Sequence, residues 1–71
     1  MTKTVKIDVV KEDYFKVREI ISIYTNHRVA ILVKEQTNEI TFNCSVFKVN
    51  RLKHDIDLAM KLGIEMKMAI V

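Results

Sequence analysis

The spacing of apolar residues changes period along the chain, and this constrains the fold more than any other feature. Segments 11–26 and 50–63 carry apolar residues on one stripe of a helix, so both are predicted to be amphipathic helices. The segments with the composition and length of strands are 4–10, 27–35, 39–48 and 64–71. The predicted order is therefore strand, helix, strand, strand, helix, strand.

This order resembles the ferredoxin-like plait, with two short crossovers between strands. The resemblance is one of layout and covers nearly the whole chain. It implies an α+β fold in which a four-stranded antiparallel sheet of spatial order 4-1-3-2 carries both helices on one face, and the preference for right-handed crossovers favours it. Residues 1–71 are expected to form a single compact domain, because one glycine and no proline leave no linker.

The small size of the chain makes self-association the expected source of extra stability. A domain of 71 residues buries only about 60% of the surface of its extended chain. Domains of this size are often stabilised by disulfides, metals or oligomerisation, and a single cysteine excludes an internal disulfide. That unpaired cysteine, the lack of a long apolar run and the lack of a signal peptide predict a cytoplasmic protein without membrane contact.

The hairpin between the second and third strands has a predicted register. We expect a two-residue turn centred on Thr37 and Asn38, since asparagine tolerates a positive φ. This turn places six apolar side chains on one face. The predicted pairs are Val33 with Phe42, Ile31 with Cys44, and Val29 with Val46.

The second strand is unusually apolar for its predicted place at the edge of the sheet. Val29 to Val33 are apolar without interruption, and such an edge tends to pair with another strand. We expect segment 28–34 to bind protein, most simply as a homodimer that continues the sheet, or as an adaptor or inhibitor docked on a larger protein. The predicted interface residues are Arg28, Ala30, Leu32, Lys34 and Phe47, with Phe47 facing the open side of the sheet at the end of the third strand. The alternative is that Ala30 and Leu32 are scattered apolar residues on a solvated face.

The basic segment 48–54 (KVNRLKH) is a second candidate site, at the predicted start of the second helix. Free backbone N–H groups and cationic side chains there would attract a phosphate, a nucleic-acid backbone or an acidic protein. The predicted anion-binding residues are Lys48, Asn50, Arg51, Lys53 and His54, with Asn50 also capping the helix and Gly63 ending it. The alternative is that Asp55 and Asp57 neutralise the segment. The net charge of +3 is diffuse, and a diffuse charge of this size is more typical of solubility than of a binding stripe.

The chain lacks the residue patterns that catalysis or cofactor binding would need, so we predict a protein that is not an enzyme and has no metal or cofactor. Cys44 is expected to lie in the core, and His27 and His54 are not expected to meet. Plait domains that stack RNA bases use aromatic residues on the open face, where this chain has polar ones. Plait metal carriers and acylphosphatases need a cysteine pair or a glycine-rich loop after the first strand, and the segment that follows it here has neither. A weaker alternative is a ligand-sensing dimer similar to the ACT type, although the same loop lacks the glycine that such sites use.

Overall fold

The computed structural model describes residues 1–25 and 28–71, so the predictions for Asn26 and His27 lie outside the described residues. The helices of the described part are α1 (Tyr14–Thr25) and α2 (Val49–Lys61). A 3-10 turn precedes each of them, Lys11–Asp13 before α1 and Val46–Lys48 before α2. The strands are β1 (Thr2–Val10), β2 (Ala30–Val33), β3 (Thr37–Ser45) and β4 (Met66–Ile70).

The strands form one antiparallel sheet in the order β2-β3-β1-β4. Read from the other side, this is the predicted order 4-1-3-2, and the element order is also as predicted. The chain therefore has the ferredoxin-like α+β plait. One face of the sheet and the inner sides of both helices enclose a common core, whose fully buried side chains are Val5, Ile7, Val9, Val17, Ile21, Ile40, Cys44, Leu52 and Ile56.

The turn between β2 and β3 lies two residues earlier than predicted. The Lys34 N–H donates to the Thr37 carbonyl at 2.9 Å, which closes a two-residue turn over Glu35 and Gln36. The observed pairs are Ala30 with Thr41, Ile31 with Ile40, Leu32 with Glu39, and Val33 with Asn38. The predicted register was therefore wrong. A shift by an even number of positions keeps every side chain on its predicted face, so the apolar pattern by itself did not distinguish the two registers.

The two ends of α2 differ in how well they were predicted. Asn50 is the second residue of α2 and does not cap it. The chain enters this helix through the 3-10 turn, where the Ser45 hydroxyl accepts a hydrogen bond from the Phe47 N–H at 3.3 Å. Gly63 ends the helix as predicted, with φ of 103°.

The backbone beyond α2 satisfies the last carbonyls of the helix. The Gly63 N–H donates to the Met60 carbonyl at 3.1 Å, and the Ile64 N–H donates to the Ala59 carbonyl at 3.2 Å. These are the two hydrogen bonds of a Schellman motif, which requires a left-handed residue at the position of Gly63.

No helix among residues 1–25 and 28–71 combines the length and the apolar character that crossing a membrane requires.

The free edge of the sheet as candidate functional site

β2 is the outermost strand next to β3, and among the described residues no strand pairs with its other side. All four of its residues are exposed. The exposed fractions are 45% for Ile31, 57% for Leu32 and 68% for Val33. Val29, just before the strand, is only partly exposed and packs against the core. The exposed apolar surface therefore begins at Ala30.

The backbone hydrogen-bonding groups of β2 alternate between β3 and solvent. Lys34 and Thr37 form a hydrogen-bonded pair, and such pairs recur at every second residue of an antiparallel ladder. Leu32 and Ala30 therefore direct their N–H and C=O groups to β3. Ile31 and Val33 direct theirs away from the sheet, where a further strand would find them. This edge, residues 30–33, is called the β2 edge below.

The side chains of the β2 edge are apolar on both faces of the sheet. Ile31 lies opposite the buried Ile40, so Ile31 and Val33 project on the helix side. Ala30 and Leu32 project on the open side. An edge strand that is solvated on one face would carry polar residues there, and within residues 30–33 this strand carries none.

The opposite edge, β4, has no large exposed apolar side chain within Met66–Ile70. Its alternate residues Met66, Met68 and Ile70 lie on the core side, with Met66 buried and the other two packed against the core. On the open side it carries Lys67, which is exposed. A charged residue on an edge strand opposes pairing with another chain. The β2 edge is therefore the edge that is better suited to pairing.

Lys34 follows the β2 edge and is held by two carboxylates on the open face. Its ammonium lies 3.3 Å from Asp8 Oδ2 and 3.2 Å from Glu39 Oε2. A hydrogen bond from the Thr37 side chain and the adjacent Lys34 ammonium hold the pKa of Asp8 below its usual value. Glu39 and Asp8 in turn raise the pKa of Lys34. These contacts hold Lys34 on the open face of its own sheet, and sequence reasoning missed them because it placed the turn wrongly.

At its other end the β2 edge stops short of β3. β3 continues to Ser45, whereas β2 begins at Ala30 opposite Thr41. Arg28 is exposed before the strand, and its N–H donates to the Thr25 carbonyl of α1 at 3.0 Å. The result is an open notch of about 480 Å³, lined by Arg28, Val29, Ala30, Thr41, Phe42 and Asn43.

Phe47 does not lie on the sheet, and its predicted place on the open face was wrong. β3 ends at Ser45, and Phe47 belongs to the 3-10 turn that leads into α2, where it is 91% exposed. Glu39 is the residue opposite Leu32, and Ser45 is six positions further along β3, or roughly 20 Å. Phe47 therefore cannot share a patch with Leu32. Among the predicted interface residues the structure brings together Arg28, Ala30, Leu32 and Lys34.

The five predicted anion-binding residues of the basic segment 48–54 are exposed, but Arg51 and Lys53 do not converge. Lys48 ends the 3-10 turn, and the other four predicted residues, Asn50, Arg51, Lys53 and His54, lie on α2. Arg51 and Lys53 are two positions apart on the helix and point about 200° from each other. One phosphate group is too small to contact both side chains.

Asp55 has a structural contact with α1 in addition to its place beside the basic segment. The Tyr24 hydroxyl donates a hydrogen bond to Asp55 Oδ2 at 2.5 Å. Burial of Tyr24, together with this hydrogen bond to a carboxylate, raises the pKa of Tyr24 to about 12. The hydrogen bond links the two helices across the outer side of the core.

Cys44 and His54 lie on different elements, β3 and α2. Cys44 is buried, as predicted, and burial raises the pKa of its thiol. It lies three positions beyond Thr41, the last β3 residue paired with β2, and therefore not beside Ile31. His54 is exposed on α2. Within residues 1–25 and 28–71 no three histidine, cysteine, aspartate or glutamate side chains are grouped so that they could hold a metal ion.

Comparison of the chain with family models, with curated proteins and with solved structures found no match.

Proposed function

We propose that the chain is a small protein-interaction module without enzymatic activity, which docks through the β2 edge by adding a strand to its sheet. A second copy of the chain is the partner that this surface fits most simply. The observation that carries the proposal is the combination, on one outer strand, of exposed apolar side chains on both faces and outward-facing backbone groups at Ile31 and Val33. Strand addition uses backbone hydrogen bonds for affinity and side-chain contacts for specificity.

The exposed apolar surface would contribute free energy of the same order as the cost of association. Complete burial of an aliphatic side chain contributes about 1.5–3 kcal/mol. Weighted by the exposed fractions of Ile31, Leu32 and Val33, two copies would gain roughly 5–10 kcal/mol. The loss of translational and rotational freedom costs about 4–15 kcal/mol. We therefore expect a dimer whose population depends on protein concentration.

A proline at Val33 would test the role of the outward-facing backbone. The N–H of Val33 points away from β3, so proline there removes a donor that only the partner would use. We expect Val33→Pro to shift the molar mass, measured by light scattering over a range of concentrations, from dimer to monomer. The matched control is Val33→Thr, which keeps the backbone N–H and a similar shape, and should remain dimeric.

Two results would contradict the proposal. A wild-type chain that stays at the monomer mass of 8.3 kDa at every accessible concentration would refute the homodimer. A Val33→Pro variant with wild-type secondary structure and wild-type dimerisation would exclude the β2 edge as the contact.

The free Cys44 suits a reducing compartment, and the cytoplasmic location stays a prediction.

Nucleic-acid binding through the basic segment 48–54 stays a prediction that no observation favours, because Arg51 and Lys53 diverge on α2. The salt dependence of binding distinguishes nucleic-acid binding from strand pairing. Phosphate binding weakens steeply as salt rises, whereas apolar strand pairing should change little.

A further inference from the structure

We infer that the partner strand is the β2 edge of a second copy, paired antiparallel about a two-fold axis at Leu32. This inference rests on the proposed function. In an antiparallel pair the outward-facing residues of one strand must lie opposite the outward-facing residues of the other. Two symmetric registers then pair three of the four edge residues with one another: the one centred on Ile31 pairs residues 30–32, and the one centred on Leu32 pairs residues 31–33.

The register centred on Ile31 brings like charges together. It places Arg28 of each copy directly opposite Lys34 of the other, and both side chains project on the open face. Like charges directly opposite each other destabilise a strand pair, and symmetry repeats this contact twice. Lys34 cannot turn away without leaving Asp8 and Glu39, which its ammonium contacts at 3.3 and 3.2 Å.

The register centred on Leu32 takes Arg28 and Lys34 out of direct opposition, which weakens this repulsion, and it brings opposite charges near each other. Lys34 then lies opposite the small Ala30 of the other copy. Arg28, beside the notch, lies opposite Gln36 in the turn of the other copy, and the neighbouring Glu35 is exposed there. An arginine and a glutamate would thus meet on each side of the two-fold axis.

The apolar contacts also match in this register. Leu32 faces its own copy at the axis on the open side, and Ile31 faces Val33 on the helix side. Each Ile31–Val33 pair exchanges two backbone hydrogen bonds, so the outward groups of both residues are satisfied. The two four-stranded sheets join into one continuous sheet, and all helices lie on the same face.

Disulfide cross-linking tests the position of the axis. Leu32 would form a non-hydrogen-bonded pair with itself, which brings the two Cβ atoms to about 4.5–5.5 Å, close to the separation that a disulfide needs. We expect Leu32→Cys to form a covalent dimer under mild oxidation with oxidised glutathione, and Ile31→Cys to form little. The wild type is the control, because its Cys44 is buried and should not cross-link. Cross-linking of Ile31→Cys in place of Leu32→Cys would overturn the inferred register.

A charge exchange provides a second test that does not depend on a cysteine. Arg28→Glu and Glu35→Arg should each weaken dimerisation roughly two- to thirtyfold, since each breaks an exposed ion pair on both sides of the axis. The double variant should restore the wild-type affinity. Failure of the double variant to restore it would overturn the inferred pairing. In both tests a wild-type dimer that lacks these responses refutes only the register, whereas a monomeric wild type refutes the proposed function.

Discussion

Leu32→Lys should separate the two copies while leaving each one folded. Leu32 is 57% exposed and projects on the open face of the sheet. At an exposed strand position the change in β propensity is below about 1 kcal/mol. In the inferred dimer the same side chain lies on the two-fold axis, so each substitution acts twice. The effect on association should therefore greatly exceed the effect on folding.

The expected loss of dimerisation free energy in Leu32→Lys follows from the burial of Leu32 and from the charge of the introduced lysine. Loss of the exposed 57% of Leu32 from the interface costs roughly 1–1.7 kcal/mol per copy, and therefore about 2–3 kcal/mol per dimer. Two ammonium groups about 5 Å apart in water add about 1 kcal/mol of repulsion. The total of about 3–4 kcal/mol corresponds to a dissociation constant raised by two to three orders of magnitude, at about 1.4 kcal/mol per factor of ten.

Light scattering across a concentration series, with circular dichroism on the same samples, measures both effects. Leu58→Lys is the matched control, because Leu58 is 50% exposed but lies on α2, away from the β2 edge. It should dimerise like the wild type. If Leu32→Lys has an unchanged dissociation constant and an intact fold, the β2 edge is not the contact. Equal weakening by Leu58→Lys would point to a general effect of added charge.

Two further predictions concern the fold itself. Gly63→Ala should destabilise the chain by about 1–2 kcal/mol in urea denaturation. The reason is backbone strain, because φ at Gly63 is 103° while an added Cβ would meet nothing within 4 Å. Gly63→Asn should cost less stability, and equal stability of the wild type and both variants would contradict the strain argument. In a Tyr14→Phe variant the remaining tyrosine, Tyr24, should titrate near pH 12 by tyrosinate absorbance, and Asp55→Asn should lower that midpoint. Because the pKa of Tyr24 is raised in the folded state, its contribution to stability is complete below about pH 10 and is lost as the pH rises to about 12. A Tyr24→Phe variant with the same stability loss over that range would refute this.

The assignment of side chains to faces could be predicted from the sequence, whereas the pairing of strands could not. The alternation of Ile40, Phe42 and Cys44 correctly indicated which side of β3 is buried. The turn was placed two residues late, because a register shifted by an even number of positions buries the same side chains. Asn38 looked like a turn residue and instead lies within β3, opposite Val33.

The sequence and the tertiary structure together determine the position of the candidate site. The uninterrupted apolar run predicts a site at segment 28–34, and β2 does occupy an edge of the sheet. The alternation of apolar and polar residues in the third strand predicts that Phe47 lies on this surface. A 3-10 turn begins at Val46 instead, and the Ser45 hydroxyl caps it. A local side-chain hydrogen bond of this kind has no signature in hydrophobic periodicity.

By itself, the sequence determined the order of the elements, the composition of the core and the apolar character of one edge, because these depend on local spacing along the chain. Only the tertiary structure decided which backbone groups of β2 face outward and that Lys34 is held between Asp8 and Glu39. Both features are set by contacts between strands that are distant in sequence. Such contacts form only when the whole sheet is assembled, and the outward direction of the Ile31 and Val33 backbone follows from them.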